Sequence, residues 1–217
     1  MDNLLVSDFD GTITRHDFYD QVCREFPGLA GNFWQEYEAG RITHFEGLRL
    51  IFAGIRAPEA RLLDIIDRME IDPGLTASVQ ALRAGGWDIT VASAGCDWYI
   101  HRLLTGQKVQ LTVYANPGEF TPEGGLVMRL PETSPFFSPQ HGVDKVAVVR
   151  EAMTRCARVA FAGDGRLDLA PALLVPPQRR FARKWLAEKL RAIHEPFHPF
   201  ERWSDVAALL LNDAAPA

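Results

Sequence analysis

The chain of 217 residues has few cysteines, no long apolar run and no excess of positive charge. Its three cysteines, Cys23, Cys96 and Cys156, are widely spaced and odd in number. This spacing fits no zinc site and favours reduced, buried thiols. A net charge of −5 gives no general basic surface for nucleic acid to bind. We therefore expect no nucleic-acid partner.

Segments that would target the chain to a membrane are also missing. No apolar stretch approaches the roughly 20 residues that a membrane helix needs. The first residues enter a strand at once and lack the basic flank and apolar stretch of a signal peptide. We expect a cytoplasmic protein with no membrane partner, and no pattern in the chain indicates an oligomeric state.

Three short apolar runs, 4–8, 88–93 and 159–162, are typical of buried parallel strands, and helical patterns follow them. Strands that alternate with helices predict an α/β fold with a parallel sheet and ligands at the carboxyl ends of its strands. Two further runs, 111–114 and 126–130, suggest a hairpin around a glycine-rich turn.

Helical patterns also fill the long stretch between the first two strands. Phe18, Val22 and Phe26 recur every four residues, and Thr43 to Glu46 fits the capping-box pattern S/T-x-x-E. About fifty residues are too many for a simple connection between neighbouring strands. We predict a core domain of residues 1–14 and 73–217, with a helical cap domain of residues 15–72 inserted into it.

The predicted strand ends carry the groups that phosphoryl transfer needs. These groups are the acid pair Asp8 and Asp10 before a turn at Gly11, then Ser93 with Ala94 and Gly95, then Lys145, then Asp164 with Asp168. A phosphate monoester resists attack because it is an anion, so catalysis needs a fixed nucleophile, charge neutralisation and a proton for the leaving alkoxide.

Each of these groups suits one task in that chemistry. Asp8 can be the nucleophile and Asp10 the general acid and base. Mg²⁺ favours oxygen ligands, so Asp8, Asp164 and a backbone carbonyl near Asp10 suit it. Ser93 and the neighbouring amides can hold phosphate oxygens, and Lys145 adds positive charge. Asp168 can orient Lys145 or support the metal.

The motifs Asp8-Phe9-Asp10-Gly11-Thr12, Ser93, Lys145 and Gly163-Asp164 with Asp168 resemble those of the haloacid dehalogenase (HAD) phosphatases. The resemblance implies a Rossmann-like core, Mg²⁺, an aspartyl-phosphate intermediate and a phosphate site that includes Gly11. The second aspartate is typical of the phosphatases and is missing from the dehalogenases. A helical cap between the first two motifs is similar to the phosphoserine phosphatase-like branch.

Segments 91–100, 114–116 and 181–183 resemble the methionine-salvage phosphatases that act on 2-hydroxy-3-keto-5-methylthiopentenyl-1-phosphate. Those phosphatases carry a cysteine cluster before the lysine, where residues 139–144 here have none. Phosphoserine phosphatases carry a cap arginine that binds the substrate, but the nearest positions here are Ile51 and Phe52. Phosphoserine is therefore disfavoured.

The leading hypothesis is a Mg²⁺-dependent phosphatase of a small phosphorylated metabolite, with a methionine-salvage phosphate as a candidate substrate. The alternatives are a phosphatase of phosphoserine or of an amino-alcohol phosphate such as phosphocholine, and a catalytically inactive binding protein. Asp17 would suit a substrate amine, although it can also simply cap a helix. Among the aromatic residues of the cap, Tyr19 is the first candidate for contact with the substrate because it follows the nucleophile loop closely.

Overall fold

In the computed structural model, which describes residues 2–213, a six-stranded sheet carries helices on both faces. The helices are α1 (Phe18–Glu25), α2 (Phe33–Glu38), α3 (His44–Ala53), α4 (Glu59–Asp67), α5 (Leu75–Ala84), α6 (Asp97–Gly106), α7 (Lys145–Arg155), α8 (Leu169–Leu174), α9 (Lys184–Ala192) and α10 (Trp203–Asp213). The strands are β1 (Asn3–Ser7), β2 (Trp87–Cys96), β3 (Thr112–Asn116), β4 (Gly118–Thr121), β5 (Gly125–Met128), β6 (Phe137–Ser138), β7 (Gly142–Val143), β8 (Arg158–Gly163), β9 (Arg180–Ala182) and β10 (His198–Pro199).

The main sheet has the order β10-β9-β8-β1-β2-β3, and every pairing within it is parallel. This confirms the predicted α/β fold. Strand β1 lies in the interior of the sheet, where all five of its residues are buried and its centre, Leu4 to Val6, is apolar. The sheet extends in both directions from β1, so the crevice beyond its carboxyl end is the expected ligand site of such a fold.

Successive residues of β1 bury their side chains in different halves of the core. Leu5 packs in a cluster with helices α5 and α10, whereas Leu4 and Val6 pack in a second cluster with helices α7 and α9. This alternation follows from the two-residue period of a strand. Since both faces of β1 are covered, the residues that follow it are held firmly at the edge of the sheet.

Helices α1, α2, α3 and α4 lie between β1 and α5, and the stretch 15–72 that contains them is called the helical insert. Its two ends are tied together where Thr14 and Ile71 form an antiparallel bridge. The predicted capping box at the start of α3 is present, with the Thr43 hydroxyl and the Glu46 carboxylate each accepting from the other's backbone amide. The insert therefore leaves and rejoins the sheet side by side, just beyond β1.

The predicted hairpin between 111–114 and 126–130 is wrong in its first strand. The residues Thr112–Asn116 form β3, which pairs with β2 at the edge of the main sheet. The hairpin consists of β4 and β5 instead. Its turn residue Gly125 has a φ of +72° and lies against the backbone of Ala53, which leaves no room for a side chain. The hairpin therefore packs against α3 of the insert.

The three cysteines are free, and of these Cys96 is buried while Cys23 and Cys156 are partly exposed. The prediction of buried thiols is therefore correct for Cys96 alone. Among the described residues, the helices are all too short or too polar to cross a membrane.

Candidate active site

The carboxyl ends of β1, β2 and β8 border a cavity of about 370 Å³. Of the residues predicted from the sequence, the cavity lining contains Asp8, Asp10, Asp17, Tyr19, Ser93, Ala94, Gly95, Lys145, Asp164 and Asp168. Gly11 lies beside the cavity and not in its lining. The structure thus brings residues from distant parts of the chain to one edge of the sheet.

Lys145 lies between two carboxylates at the floor of the cavity. Its ammonium donates to Asp8 Oδ1 at 2.6 Å and to Asp168 Oδ1 at 2.7 Å, and all three side chains are buried. The lysine is the first residue of α7, because Asp144 before it accepts from the Ala147 amide and caps the helix. The helix start therefore fixes the position of the ammonium.

Burial dominates the electrostatics of this ion-paired group. Desolvation raises the pKa of Asp8 to about 7, and Asp168 adds to the rise while Lys145 opposes it. Burial alone would lower the pKa of Lys145, but Asp168 and Asp8 outweigh it and raise that pKa. The lysine is thus a permanent cation next to a carboxylate that is costly to ionise.

The Asp10 carboxylate accepts three hydrogen bonds on the other side of the cavity. Its donors are the Phe18 amide at 3.3 Å, the Ser93 hydroxyl at 3.2 Å and the Tyr99 hydroxyl at 2.9 Å. Burial, followed by repulsion from Asp8, raises the pKa of Asp10 to about 7. A carboxyl group with this pKa can both give and take a proton near neutral pH.

Tyr99 is a site residue that the sequence interpretation missed. It lies on α6 and is almost completely buried, with its hydroxyl directed at Asp10. The only signal in the sequence is its place six residues after Ser93, on the helix that the second strand leads into. A buried tyrosine hydroxyl usually requires a polar partner, but the sequence alone does not identify Asp10 as that partner.

The last residues of β2, from Ser93 onward, are closely packed around the predicted phosphate site. The Gly95 amide donates to Ser93 Oγ at 2.9 Å, and the Asn116 side chain donates to the Ala94 carbonyl at 2.7 Å. A side chain at Gly95 would overlap the Tyr99 hydroxyl and come within 2.6 Å of Asp10 Oδ2. Glycine is therefore required here by the close approach of its neighbours.

Gly11 turns the chain away from β1 with a φ of +72°, and its amide donates to Thr14 Oγ1 at 3.0 Å. That amide is thus engaged within the loop. A side chain at this position would overlap Asp164, and it would lie 2.5 Å from the Lys184 ammonium. The glycine allows the loop that follows β1 and the loop that carries Asp164 to touch.

Lys184 is a second cation at the site that the sequence interpretation missed. Its ammonium donates to Asp164 Oδ2 at 2.9 Å, and its side chain is 39% exposed. Its backbone has a φ of +46°, a conformation that is uncommon for residues other than glycine. Burial raises the pKa of Asp164 to about 6, and Lys184 opposes that shift.

The acidic residues at the site fit a divalent cation. Carboxylate oxygens of Asp8, Asp164 and Asp168 lie within 4.8 Å of one another. Asp168 also accepts from Lys145 and from the amides of Asp164 and Gly165, which leaves it suited to orienting its neighbours. Asp8, Asp10, Asp164 and Asp168 together offer the oxygen ligands that Mg²⁺ prefers.

The helical insert forms the opposite wall of the cavity. It contributes Asp17, Tyr19, Asp20, Trp34, Tyr37, His44, Leu48 and Phe52 to the lining. Phe18, Phe33 and Phe45 are buried inside the molecule. Asp17 caps α1 by accepting from the Tyr19 amide at 2.6 Å, and burial raises its pKa well above the ordinary value.

A family model described as haloacid dehalogenase-like hydrolase matches residues 5–172. Two similar relatives are named 2-hydroxy-3-keto-5-methylthiopentenyl-1-phosphate phosphatase. The relative from Bacillus cereus (strain B4264) is 26% identical over 207 residues, covering 94% of this chain and 93% of its own. The relative from Brevibacillus brevis (strain 47 / JCM 6285 / NBRC 100599) is 27% identical over 218 residues, covering 95% and 94%.

Solved structures of low sequence identity share the fold. A HAD family hydrolase from Salmonella enterica serovar Typhi superposes with a TM-score of 0.70 at 18% identity, covering 97% of this chain and 71% of that one. A probable phosphoserine phosphatase from Vibrio cholerae gives a TM-score of 0.67 at 20% identity, covering 100% of this chain and 68% of that one.

Proposed function

The chain belongs to the haloacid dehalogenase-like hydrolase family, and we propose that it is a Mg²⁺-dependent phosphomonoester hydrolase that forms an aspartyl-phosphate. The observation that carries this proposal is the pairing of Asp8 with Lys145 at 2.6 Å, with Asp10 across the same cavity. The Asp8 carboxylate is paired with the Lys145 cation, whereas the Asp10 carboxylate accepts hydrogen bonds from neutral donors. Two carboxyl groups in such different surroundings suit two different roles.

In the first step, a carboxylate oxygen of Asp8 forms a bond to phosphorus while the bond from phosphorus to the alcohol oxygen breaks. Asp10 gives its proton to that departing oxygen. Its pKa of about 7 leaves a protonated fraction available at neutral pH. Lys145 holds the attacking carboxylate in place and offsets negative charge. Ser93 would donate to a phosphate oxygen in exchange for the hydrogen bond that it gives to Asp10 in the free protein.

In the second step, Asp10 takes a proton from a water molecule whose oxygen attacks the phosphorus of the aspartyl-phosphate. The bond from phosphorus to Asp8 breaks, which releases phosphate and restores the carboxylate. A Mg²⁺ ion held by Asp8, Asp164 and the backbone carbonyl of Asp10 would supply positive charge that reduces repulsion between phosphate and nucleophile. Asp168 keeps Lys145 oriented throughout.

We further propose that the helical insert, residues 15–72, is a cap domain on a core of residues 1–14 and 73–217. Backbone hydrogen bonds from Arg15 to Glu70 and from His16 to Met69 join the two ends beside the Thr14–Ile71 bridge, so the insert is connected to the core at one place. A cap would exclude water during the chemistry and would exclude large substrates such as proteins. The substrate is then a small phosphorylated metabolite.

The cavity wall formed by the insert favours a substrate without a carboxylate. Among the described residues, the insert contributes rings and acids to the lining but neither lysine nor arginine. Ile51 and Phe52, the positions nearest to the cap arginine of the phosphoserine phosphatases, are buried and apolar. This supports a methionine-salvage phosphate, the substrate class in the names of the two relatives, over phosphoserine.

An amino-alcohol phosphate is supported less well. Asp17 would be the partner of a substrate amine, but its carboxylate already caps α1 and its raised pKa favours the neutral form. An inactive binding protein is disfavoured because the residues proposed for every catalytic role, Asp8, Asp10, Lys145 and Asp164, line one cavity.

A panel of phosphomonoesters tests the proposal directly. Phosphate release should require Mg²⁺, stop in EDTA and disappear in the Asp8→Asn variant. A methionine-salvage phosphate should be preferred over phosphoserine and phosphocholine. A kcat/KM for phosphoserine tenfold above every other ester would overturn the substrate assignment. Full activity in EDTA would overturn the metal assignment, and no release from any ester would reject the enzyme function.

A further inference from the structure

The cavity wall contains an imidazole whose hydrogen-bonding capacity is unused. His44 is the first residue of α3, and the capping box of Thr43 and Glu46 fixes the backbone around it. Within residues 2–213, its Nδ1 is enclosed without a hydrogen-bond partner. Its Nε2 also has no protein partner but is not enclosed, and the residue lines the cavity that holds Asp8 and Ser93.

Aromatic rings surround His44, and within residues 2–213 none of them forms a hydrogen bond to its ring nitrogens. The rings of Phe33, Trp34 and Tyr37 lie with centroids 6.1, 6.3 and 5.7 Å from the imidazole. The His141 ring lies on the side of the sheet, with its centroid 6.0 Å from that of His44. A phenylalanine ring could pack against the same aromatic side chains, so packing alone does not explain why the residue at position 44 is polar.

The imidazole is uncharged at neutral pH. Burial, with smaller contributions from His141 and Lys145, lowers the pKa of His44 to about 4. A neutral imidazole offers one N–H donor and one nitrogen acceptor. It can therefore pair with a hydroxyl or a carbonyl group, while it provides no charge to neutralise a carboxylate.

Resting on the proposed phosphatase function, we propose that His44 is a specificity residue that hydrogen-bonds an uncharged oxygen on the organic part of the substrate. The preferred class is then a phosphate ester of a small neutral alcohol that carries a further hydroxyl or carbonyl group. The oxygen would bond to Nε2, the ring nitrogen that is not enclosed: a substrate that fills the cavity covers this atom, and the hydrogen bond avoids the cost of leaving it unpaired. An ester that lacks the oxygen would leave the imidazole unpaired and should be rejected.

Three esters that differ by one group test the proposal with the Mg²⁺-loaded enzyme. They are 2-oxobutyl phosphate, 2-hydroxybutyl phosphate and butyl phosphate. We expect kcat/KM for at least one oxygenated ester to exceed that for butyl phosphate by about tenfold or more. The ratio should fall to within about twofold of one in His44→Phe and recover in part in His44→Gln, which keeps a donor and an acceptor.

The ratio is the informative readout because it cancels any loss of activity common to all three esters. His101→Phe, on the exposed side of α6, is the matched control and should keep the wild-type ratio. No preference in the wild type, or a preference that survives in His44→Phe, would overturn the proposal. If the wild type hydrolyses none of these esters and no p-nitrophenyl phosphate either, the phosphatase function itself fails and this inference falls with it.

A second measurement does not depend on how the His44 variants fold. The Asp8→Asn protein, labelled with ¹⁵N in its histidine rings, should bind the esters without hydrolysing them. The His44 ring nitrogens should shift on addition of the preferred oxygenated ester and much less on addition of butyl phosphate. Equal responses to the two esters would contradict a hydrogen bond to the extra oxygen.

Discussion

Replacing Asp10 with asparagine should stabilise the metal-free protein relative to wild type as the pH rises from 5 to 8. Folding buries this carboxyl group and raises its pKa from the ordinary value of 3.8 to about 7. The folded protein thus binds the proton more tightly than the unfolded chain does. The stability that this proton contributes is complete below the unfolded pKa and is lost as the pH rises through about 7.

The size of the effect follows from the pKa shift. From pH 5 to about 7 the folded Asp10 keeps its proton while the unfolded residue has already lost it. Each of these two pH units is worth about 1.4 kcal/mol. Wild type should therefore lose about 3 kcal/mol from this group between pH 5 and pH 8, whereas the Asp10→Asn variant loses nothing there because its amide does not titrate.

Urea unfolding in EDTA gives the free energy of unfolding of the variant and of the wild type at pH 5 and at pH 8. The effect is the amount by which the difference between these two free energies changes from pH 5 to pH 8. Asp67→Asn, at an exposed position on α4, is the control and should show no such change. If the Asp10→Asn difference is the same at both pH values, the carboxyl group is not held in its neutral form by burial. The proposed general acid would then lack its source of protons at neutral pH.

Three further predictions concern neighbouring groups. Asp10→Asn should slow the hydrolysis of esters with poor leaving groups far more than that of p-nitrophenyl phosphate. It should also remove the fall in kcat/KM above about pH 7. Equal losses of rate for both kinds of ester would reject the acid role. Gly95→Ala should lower kcat/KM about a hundredfold because the new methyl group displaces Tyr99 and Asp10, whereas Gly28→Ala, with open space around it, should not. Lys184→Met should tighten Mg²⁺ binding up to about tenfold in calorimetry, because it removes a partly exposed ammonium from Asp164. The control variant Lys108→Met, at another exposed lysine with positive φ, should bind Mg²⁺ as the wild type does. Weaker Mg²⁺ binding in Lys184→Met would show instead that Lys184 supports the metal site.

The framework of the site was predictable because it depends on local patterns. Apolar runs locate the strands, and the carboxyl ends of parallel strands meet at one edge of the sheet. Asp8, Ser93 and Asp164 follow from that rule alone. Lys145 required in addition that a helix begin at the lysine itself, which the Asp144 cap ensures.

The remaining groups depend on distances that the sequence does not contain. Tyr99 meets Asp10 across 89 positions of the chain, and Lys184 meets Asp164 only because β9 returns beside β8. In the sequence, His44 is simply the first residue of a helix, and only the position of the insert over the sheet shows that it lines the cavity. The hairpin was misassigned for a related reason, because periodicity identifies a strand but not its partner.

The most direct test of the account is to identify the residue that carries the phosphoryl group. The enzyme is mixed with a good substrate and Mg²⁺, quenched in acid during turnover and reduced with borohydride, which converts an aspartyl-phosphate to homoserine. Peptide mass spectrometry should find homoserine at position 8 in the wild type and not in Asp8→Asn. Turnover with an unmodified Asp8, or with the modification at another residue, would contradict the account.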